Sequence, residues 1–483
     1  MIDYRPVARV IGFLLNIIGL MIWTALPVSF IYDEAVSLPI FLAGLTSLAV
    51  GVPLLLFVHV PKGQSIRKRE GYLIVAFGWL AMVTFGALPY LYTGMIPDLP
   101  GALFETVSGM TTTGASVLTD IESHTRAMLY WRSITQWIGG MGIIVLTVAI
   151  FPLLGIGGIE LFVAEAPGPT SDKLHPRISE TAKRLWLIYV GLTGILMVLF
   201  VVFGMSVYEA VCHAFTTMAT GGFSTRNASM AAFSPSIQYL TVFFMFVAGT
   251  NYTVIYLGLK GRFSRVWASD EFRAYVYLIL ILTVYITTRV YIVTDLDLEQ
   301  SFRDSLFQIL SLITTTGFVT ADYTSWSDAL TIVCFTLLFV GACAGSTSGG
   351  IKIIRNLVFF KNSYLEFKRL VHPRAIVPLK LNETVVPGRI ITHIFTFLLL
   401  YLIIFVVGSV ILAIMGLDFM TAIGAMATSL GNVGPGIGKV GPVDNFAWLS
   451  PQIKLFLSFV MLLGRLELFT ILVLFTPYFW RLN

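Results

Sequence analysis

The feature that most constrains this chain is a short motif that comes back four times. Met110-Thr111-Thr112-Thr113-Gly114-Ala115-Ser116 is followed by Met218-Ala219-Thr220-Gly221-Gly222-Phe223 and by Leu312-Ile313-Thr314-Thr315-Thr316-Gly317-Phe318. A weaker fourth copy is Leu430-Gly431-Asn432-Val433-Gly434-Pro435-Gly436. Recurrence at intervals of roughly a hundred residues means repeated architecture. Each copy ends an apolar, helix-compatible run of about ten residues, too short to cross a bilayer, and lies between two runs that are long enough. Four copies of helix, half-helix, glycine-centred loop and helix predict a ring of four units around one axis. Backbone carbonyls ringing such an axis can take over the hydration shell of a small cation.

Composition fixes the medium. Of 483 residues, 57% are hydrophobic and only 12% charged, against roughly 25% charged in soluble domains. A polytopic, all-α membrane protein with the lipid bilayer as its solvent is the expected class. The net charge of +5 comes from basic residues set between apolar runs, which speaks against a nucleic-acid surface. Cys212, Cys334 and Cys343 are scattered and form neither a disulfide frame nor a metal spacing. The run from about 10 to 32, with Arg5 and Arg9 ahead of it, superficially resembles a leader. It continues without a small-residue cleavage site and reads as a retained span.

Basic loops give the orientation. Lys62, Arg67, Lys68 and Arg69 follow the second span, about 38 to 60. Lys173, Arg177, Lys183 and Arg184 follow a return span at about 126 to 152. Lys260, Arg262, Arg265 and Arg273 follow the return at 237 to 259. Lys352, Arg355, Lys361, Lys368, Arg369, Arg374, Lys380 and Arg389 fill the next loop, and Arg481 lies near the end. These loops belong inside, which places both termini in the cytoplasm and every glycine loop outside. The expected division is an accessory helix pair at 1–70 and four units at 71–184, 185–272, 273–386 and 387–483, with filter loops at 111–116, 218–223, 314–318 and 431–436. Half-helices are expected at about 103 to 113, 208 to 220 and 419 to 430, ahead of loops one, two and four. Asp295, Asp297, Glu299, Asp304, Asp322 and Asp328 predict an acidic outer vestibule, which raises local cation concentration.

The residues expected to carry chemistry are few. Thr112, Thr113 and Gly114, then Ala219, Thr220 and Gly221, then Thr315, Thr316 and Gly317, then Asn432, Val433 and Gly434 make the candidate cation-binding filter, through their backbone carbonyls. Glycine is needed where successive carbonyls face one side, since that takes φ values other residues reach only at a cost. Gly345, Ser346, Thr347, Ser348, Gly349 and Gly350 interrupt the return helix of the third unit, expected at 329 to 360, and read as a flexible gate. This interruption is expected in the third unit alone. Arg465 lies near the middle of the last span, expected at 452 to 475. A guanidinium there is costly unless paired or wet, and it is assigned to the gate beside the loop. Glu467, two residues on, points elsewhere on the helix.

Other matches carry less. Gly436-Ile437-Gly438-Lys439-Val440-Gly441 fits a dinucleotide fingerprint but follows a half-helix and opens no βαβ unit. His213 reads as a packed histidine. No nucleophile–base set or metal cluster points to an enzyme, and no bound cofactor is expected.

Together, the Thr-Thr-Thr-Gly and Ala-Thr-Gly-Gly loops, Asn432-Val433-Gly434-Pro435-Gly436, the 341–350 break and Gly464-Arg465-Leu466-Glu467 resemble the TrkH/Ktr/HKT superfamily over essentially the whole chain. The accessory pair, 137–145 and Arg369-Leu370-Val371-His372-Pro373 match its bacterial TrkH branch. The resemblance implies a homodimer in the bacterial inner membrane, each subunit with its own pore for potassium uptake. It also implies gating by a cytosolic ring of TrkA-type nucleotide-binding subunits. Potassium is the implied transported ion, with rubidium accepted and sodium less strictly refused than in tetrameric channels, whose loops carry more glycine. The runner-up is a coupled potassium–proton or potassium–sodium symporter, since carriers place their sites at broken helices.

Overall fold

The computed structural model describes residues 2–61, 67–142 and 178–481. The expected return of unit one through residue 152, and the basic residues Lys62, Lys173 and Arg177, lie outside these. Among the described residues, six helical stretches are long and apolar enough to cross a membrane: Tyr4–Ile31, Ser37–Phe57, Arg69–Thr93, Lys183–Val202, Asp270–Val293 and Gly388–Ile414. Their outer faces are bare hydrocarbon. Ile281, Val284, Leu399 and Leu402 are all exposed, and a face of that kind is stable in lipid, where helices satisfy their own backbone.

Four short helices lie between the long ones: Leu99–Met110, Val207–Met218, Leu298–Ile313 and Phe419–Gly431. Each starts at a side-chain cap. Asp98 accepts from Gly101 N at 2.8 Å, Ser206 from Glu209 N at 3.3 Å, Asp297 from Gln300 N at 3.0 Å and Asp418 from Thr421 N at 3.2 Å. Such caps satisfy N–H groups that a helix start leaves open. The first begins four residues before its expected start, because Asp98 caps it and Pro100 is tolerated in its first turn. Asp297 and Asp322 are engaged in local structure, one as this cap and one holding Thr324 N at 2.9 Å.

The return helices depart from expectation. Pro235–Ala248 and Tyr252–Leu259 are bent by 106° at Gly249, and Pro451–Arg465 and Phe469–Phe475 by 108°. In the third unit Asp328–Leu337 and Ile353–Val371 flank the 338–352 segment. The interruption is therefore not confined to the third unit. Asn251 restarts one helix by accepting from Thr253 N at 2.8 Å, and Glu467 and Leu468 take positive φ at the other break. The apolar run continues across both bends, so hydropathy alone does not register them.

The first two long helices meet along a glycine seam. A Cβ placed on Gly12 would come within 2.9 Å of the Gly51 carbonyl, and one on Gly19 within 2.9 Å of the Gly44 carbonyl. Ser47 Oγ donates across the seam to Leu15 O at 2.8 Å. Small residues let helix backbones approach closely in lipid. Gly51→Leu is expected to force the pair apart at a cost of about 1–3 kcal/mol, read as a lower melting temperature in detergent. An unchanged transition would mean that the close approach contributes nothing to stability.

Candidate cation site

All four half-helices end in the same way. The C-terminal residue that leaves the helix takes left-handed φ: Thr112 at 54°, Thr220 at 52°, Thr315 at 55° and Asn432 at 54°. The next N–H reaches back five residues, from Thr113 to Ser108 O (2.8 Å), Gly221 to Thr216 O (2.9 Å), Thr316 to Ser311 O (2.8 Å) and Val433 to Thr428 O (3.0 Å). This is the Schellman ending, usually built on glycine. Asparagine tolerates it, whereas a β-branched threonine there is a genuine outlier. Outliers of this kind cost of order 1–3 kcal/mol each and persist where the surroundings over-determine them.

Two residues after each left-handed position comes a glycine with positive φ: Gly114 (86°), Gly222 (78°), Gly317 (79°) and Gly434 (100°). The register in loop two therefore differs from that read in the sequence. Gly222, not Gly221, is the counterpart of the other three glycines. Gly221 matches Thr113, Thr316 and Val433, and Ala219 matches Thr111, Thr314 and Gly431. With two adjacent glycines, only the backbone fixes which one takes the left-handed turn.

The loops lie against one another in cyclic order. A Cβ on Gly114 would strike the Gly221 carbonyl, one on Gly222 the Thr316 carbonyl, and one on Gly317 the Val433 carbonyl. One on Gly434 would come within 2.6 Å of the Thr113 carbonyl, which closes the circuit. Among the described residues, the carbonyls of Thr112, Thr113, Thr315, Thr316 and Val433 accept no hydrogen bond from protein. The C-terminal ends of four helices thus converge, each bringing partial negative charge.

Buried polar groups hold the loops from behind. Thr111 and Thr113 hydroxyls are 2.7 Å apart, as are those of Thr314 and Thr316. Asn432 Nδ2 donates to Thr113 Oγ1 at 3.0 Å and to Met461 O at 2.9 Å. Glu105, fully buried, accepts from Ser116 Oγ at 3.0 Å and Val117 N at 2.8 Å, and pairs with Arg132 at 2.6 Å. Arg132 Nη1 donates to Ser224 O at 2.9 Å, and its guanidinium lies 3.5 Å over the Phe223 ring. His213 is packed, with Nδ1 2.8 Å from Glu209 O and Nε2 3.0 Å from Ser224 Oγ.

The 341–350 segment lies under these loop ends. Thr347 Oγ1 is 3.2 Å from Thr220 Oγ1, and Gly349 N donates to Thr315 Oγ1 at 2.7 Å. A Cβ on Gly349 would come within 2.6 Å of the Gly431 carbonyl. The loop's neck is pinched by Gly341 N to Ile351 O at 2.8 Å, and Glu271 Oε1 takes Ala344 N (2.7 Å) and Ile354 N (3.2 Å). Ser346 donates to Cys343 O at 2.6 Å, Tyr252 N to Gly345 O at 3.1 Å, and Lys352 Nζ reaches Ser348 O. Gly345 and Gly350 take positive φ, the turns that let this segment fold back on itself. Arg465 Nη1 donates to Thr347 O at 2.9 Å, while Nη2 donates to Gly139 O (2.8 Å) and Gly140 O (2.7 Å). Glu467 pairs with Arg355, whose guanidinium lies 4.0 Å over the Phe397 ring.

Sequence reasoning missed Glu105, Arg132, Gln136 and Glu271. Glu105 and Arg132 carried the same signal that singled out Arg465, an ionisable residue inside an apolar segment.

A family model described as cation transport protein TrkH matches residues 38–481. The Trk system potassium uptake protein TrkH of Salmonella typhimurium is 41% identical over 485 residues, covering 99% of each chain. Its Escherichia coli K12 counterpart is 40% identical over 489 residues, again covering 99% of each. The crystal structure of the potassium transporter TrkH from Vibrio parahaemolyticus superposes with a TM-score of 0.88 at 35% identity, over 99% of this chain and 100% of that one. The fold and the matches define a polytopic transport protein and not an enzyme. The chain belongs to the TrkH family of cation transport proteins.

Two outcomes are expected. Gly317→Ser places a side chain at φ +79° against the Val433 carbonyl. Discrimination among alkali cations in proteoliposomes should then fall roughly tenfold, since it depends on carbonyl placement; unchanged ratios would remove Gly317 from the filter. Glu105→Ala strands a buried guanidinium and should cost about 3–5 kcal/mol, measured as a lost or strongly lowered melting transition.

Proposed function

We propose that the chain is a gated potassium pore of the bacterial inner membrane. Four units, 71–184, 185–272, 273–386 and 387–483, surround one axis in pseudo-four-fold order, with 1–70 as the accessory pair. Cations pass the carbonyls of loops 111–116, 218–223, 314–318 and 431–436, in the corrected register where Gly222 stands with Gly114, Gly317 and Gly434. The observation that carries this reading is the closed circuit of four loops, in which the carbonyls of Thr112, Thr113, Thr315, Thr316 and Val433 have no donor among the described residues. Such oxygens can replace water around a weakly hydrated ion such as potassium or rubidium. The membrane potential supplies about 2.3 kcal/mol per charge per 100 mV, enough to drive uptake. The relatives' names, all potassium uptake proteins of Trk systems, support the same ion.

Residues 345–350 are the barrier and Arg465 its latch, tying Thr347 to Gly139 and Gly140. The basic loops, the resemblance and the Trk-system relatives support cytoplasmic termini, a homodimer and a nucleotide-binding TrkA-type regulator at the inner face. The bent return helices keep one alternative in view, a symporter with sites at helix breaks. Flux of potassium, rubidium and sodium from proteoliposomes under an imposed potential tests the proposal. Uptake that requires a proton or sodium gradient would replace it with the symporter.

Arg465→Ala, or deletion within 345–350, should raise flux in the absence of regulator several-fold, as the latch makes charge-assisted hydrogen bonds to Thr347, Gly139 and Gly140. Unaltered or reduced flux in folded protein would make Arg465 a structural residue.

A further inference from the structure

Loop two is the odd member of the set in a way the other loops make visible. Where loops one and three carry paired threonines, it has Ala219 and Gly221, so it lacks both the hydroxyl bridge and the side chain behind the carbonyl. Loop four fills the second place with Val433. The space behind Gly221 is instead filled by Gln136, which is fully buried on the return helix Arg126–Trp137 of the preceding unit. A Cβ on Gly221 would run into the Gln136 amide. Gln136 Nε2 donates to the Gly221 carbonyl at 2.5 Å, and Gln136 Oε1 accepts from Phe223 N at 3.0 Å. One amide therefore grips the loop on both sides of Gly222. Arg132, one turn earlier on the same helix, holds Ser224 O and the Phe223 ring.

The Gly221 carbonyl occupies the place in the circuit that Thr113, Thr316 and Val433 occupy in the other loops, and of those four it is the one that accepts a hydrogen bond from a described residue. We infer that Gln136 is a positioning residue for ion discrimination: a side chain from unit one that fixes the height and field of the carbonyl contributed by unit two. An acceptor already engaged by an N–H offers less electron density to a cation. The ring then has three oxygens without a described donor and one restrained by an amide, so the quadrant at Gly221 sets the smallest opening to which the ring can contract around sodium. This inference rests on the pore reading above.

The geometry also explains the glycine. Gly221 is not among the positive-φ glycines, so its backbone accepts a side chain, and the atoms nearest to a Cβ there all belong to the Gln136 amide. Gln136 and Gly221 therefore form a compensating pair, open to a double-mutant cycle.

The test is potassium and sodium flux through purified, reconstituted protein, with size-exclusion behaviour and melting temperature as folding controls. Gln136→Leu should lower the potassium-to-sodium ratio roughly five- to tenfold, the weight of one hydrogen bond, while potassium flux persists. Gly221→Val alone should do the same or worse. The double variant Gln136→Ala with Gly221→Val, which gives loop two the pattern of loop four, should recover part of the loss. A purely structural role predicts lower melting temperatures with the ratio unchanged, and that result would overturn the inference. Additive losses in the double variant would overturn it too. If Gln136→Leu fails to fold, the Gly221→Val and double variants decide between recovery and additivity. A wild-type protein without selective potassium flux would instead overturn the pore reading itself.

Discussion

The structure depends on four helix ends that stop one turn short of unwinding. Each half-helix is closed by a residue in left-handed conformation, and at three of the four that residue is threonine. A glycine would adopt the conformation without penalty. The threonine carries a hydroxyl to the underside of the loop, where Thr220 meets Thr347 and Thr315 meets Gly349 N. In loops two and three the same turn that ends the helix thus presents carbonyls on one side and a hydroxyl contact on the other. The strain of these conformations is held by the back-bonds to Ser108, Thr216, Ser311 and Thr428 and by the packing of each loop against the next.

Around these ends the protein builds a polar scaffold in a medium that penalises polar groups. Its charged members are satisfied. Glu105 answers Arg132 and two donors of loop one; Arg132 answers Ser224 and Phe223; Glu271 closes the neck of the 341–350 segment; Arg465 is spread over three carbonyls. In low dielectric each such contact is strong and each omission expensive, so the scaffold fixes the loops far more rigidly than apolar packing would. The long outer helices have a simpler task. They carry hydrocarbon to the lipid and hold the short helices at the depth where their ends meet.

Much of this was legible in the chain. The recurring Thr-Gly motif and the apolar runs on either side gave the loops and the long helices. Asp98, Ser206, Asp297 and Asp418 are ordinary cap residues at ordinary positions. Three things were not legible, each for a physical reason. In Thr220-Gly221-Gly222 the two glycines are equivalent as letters, and only the backbone tells which one turns. The bends after Ala248 and Arg465 coincide with short polar interruptions, Gly249-Thr250-Asn251 and Arg465-Leu466-Glu467, too brief to divide the apolar run, so hydropathy sees one span. Gln136 and Gly221 are separated by 85 residues, and the partnership of a small residue with a distant amide leaves no local pattern.

All four loops belong to one polypeptide, and this alters how the proposed pore would respond to change. In an assembly of identical subunits, one altered codon rewrites every wall at once. Here it rewrites a single wall, and the remaining three continue to shape the passage. Asparagine can therefore stand at one corner where threonine stands at the others, and an amide borrowed from a neighbouring helix can serve a corner that has lost its own side chain. A lining assembled in this way can drift piecemeal, one corner per step, without passing through a form in which all corners fail together.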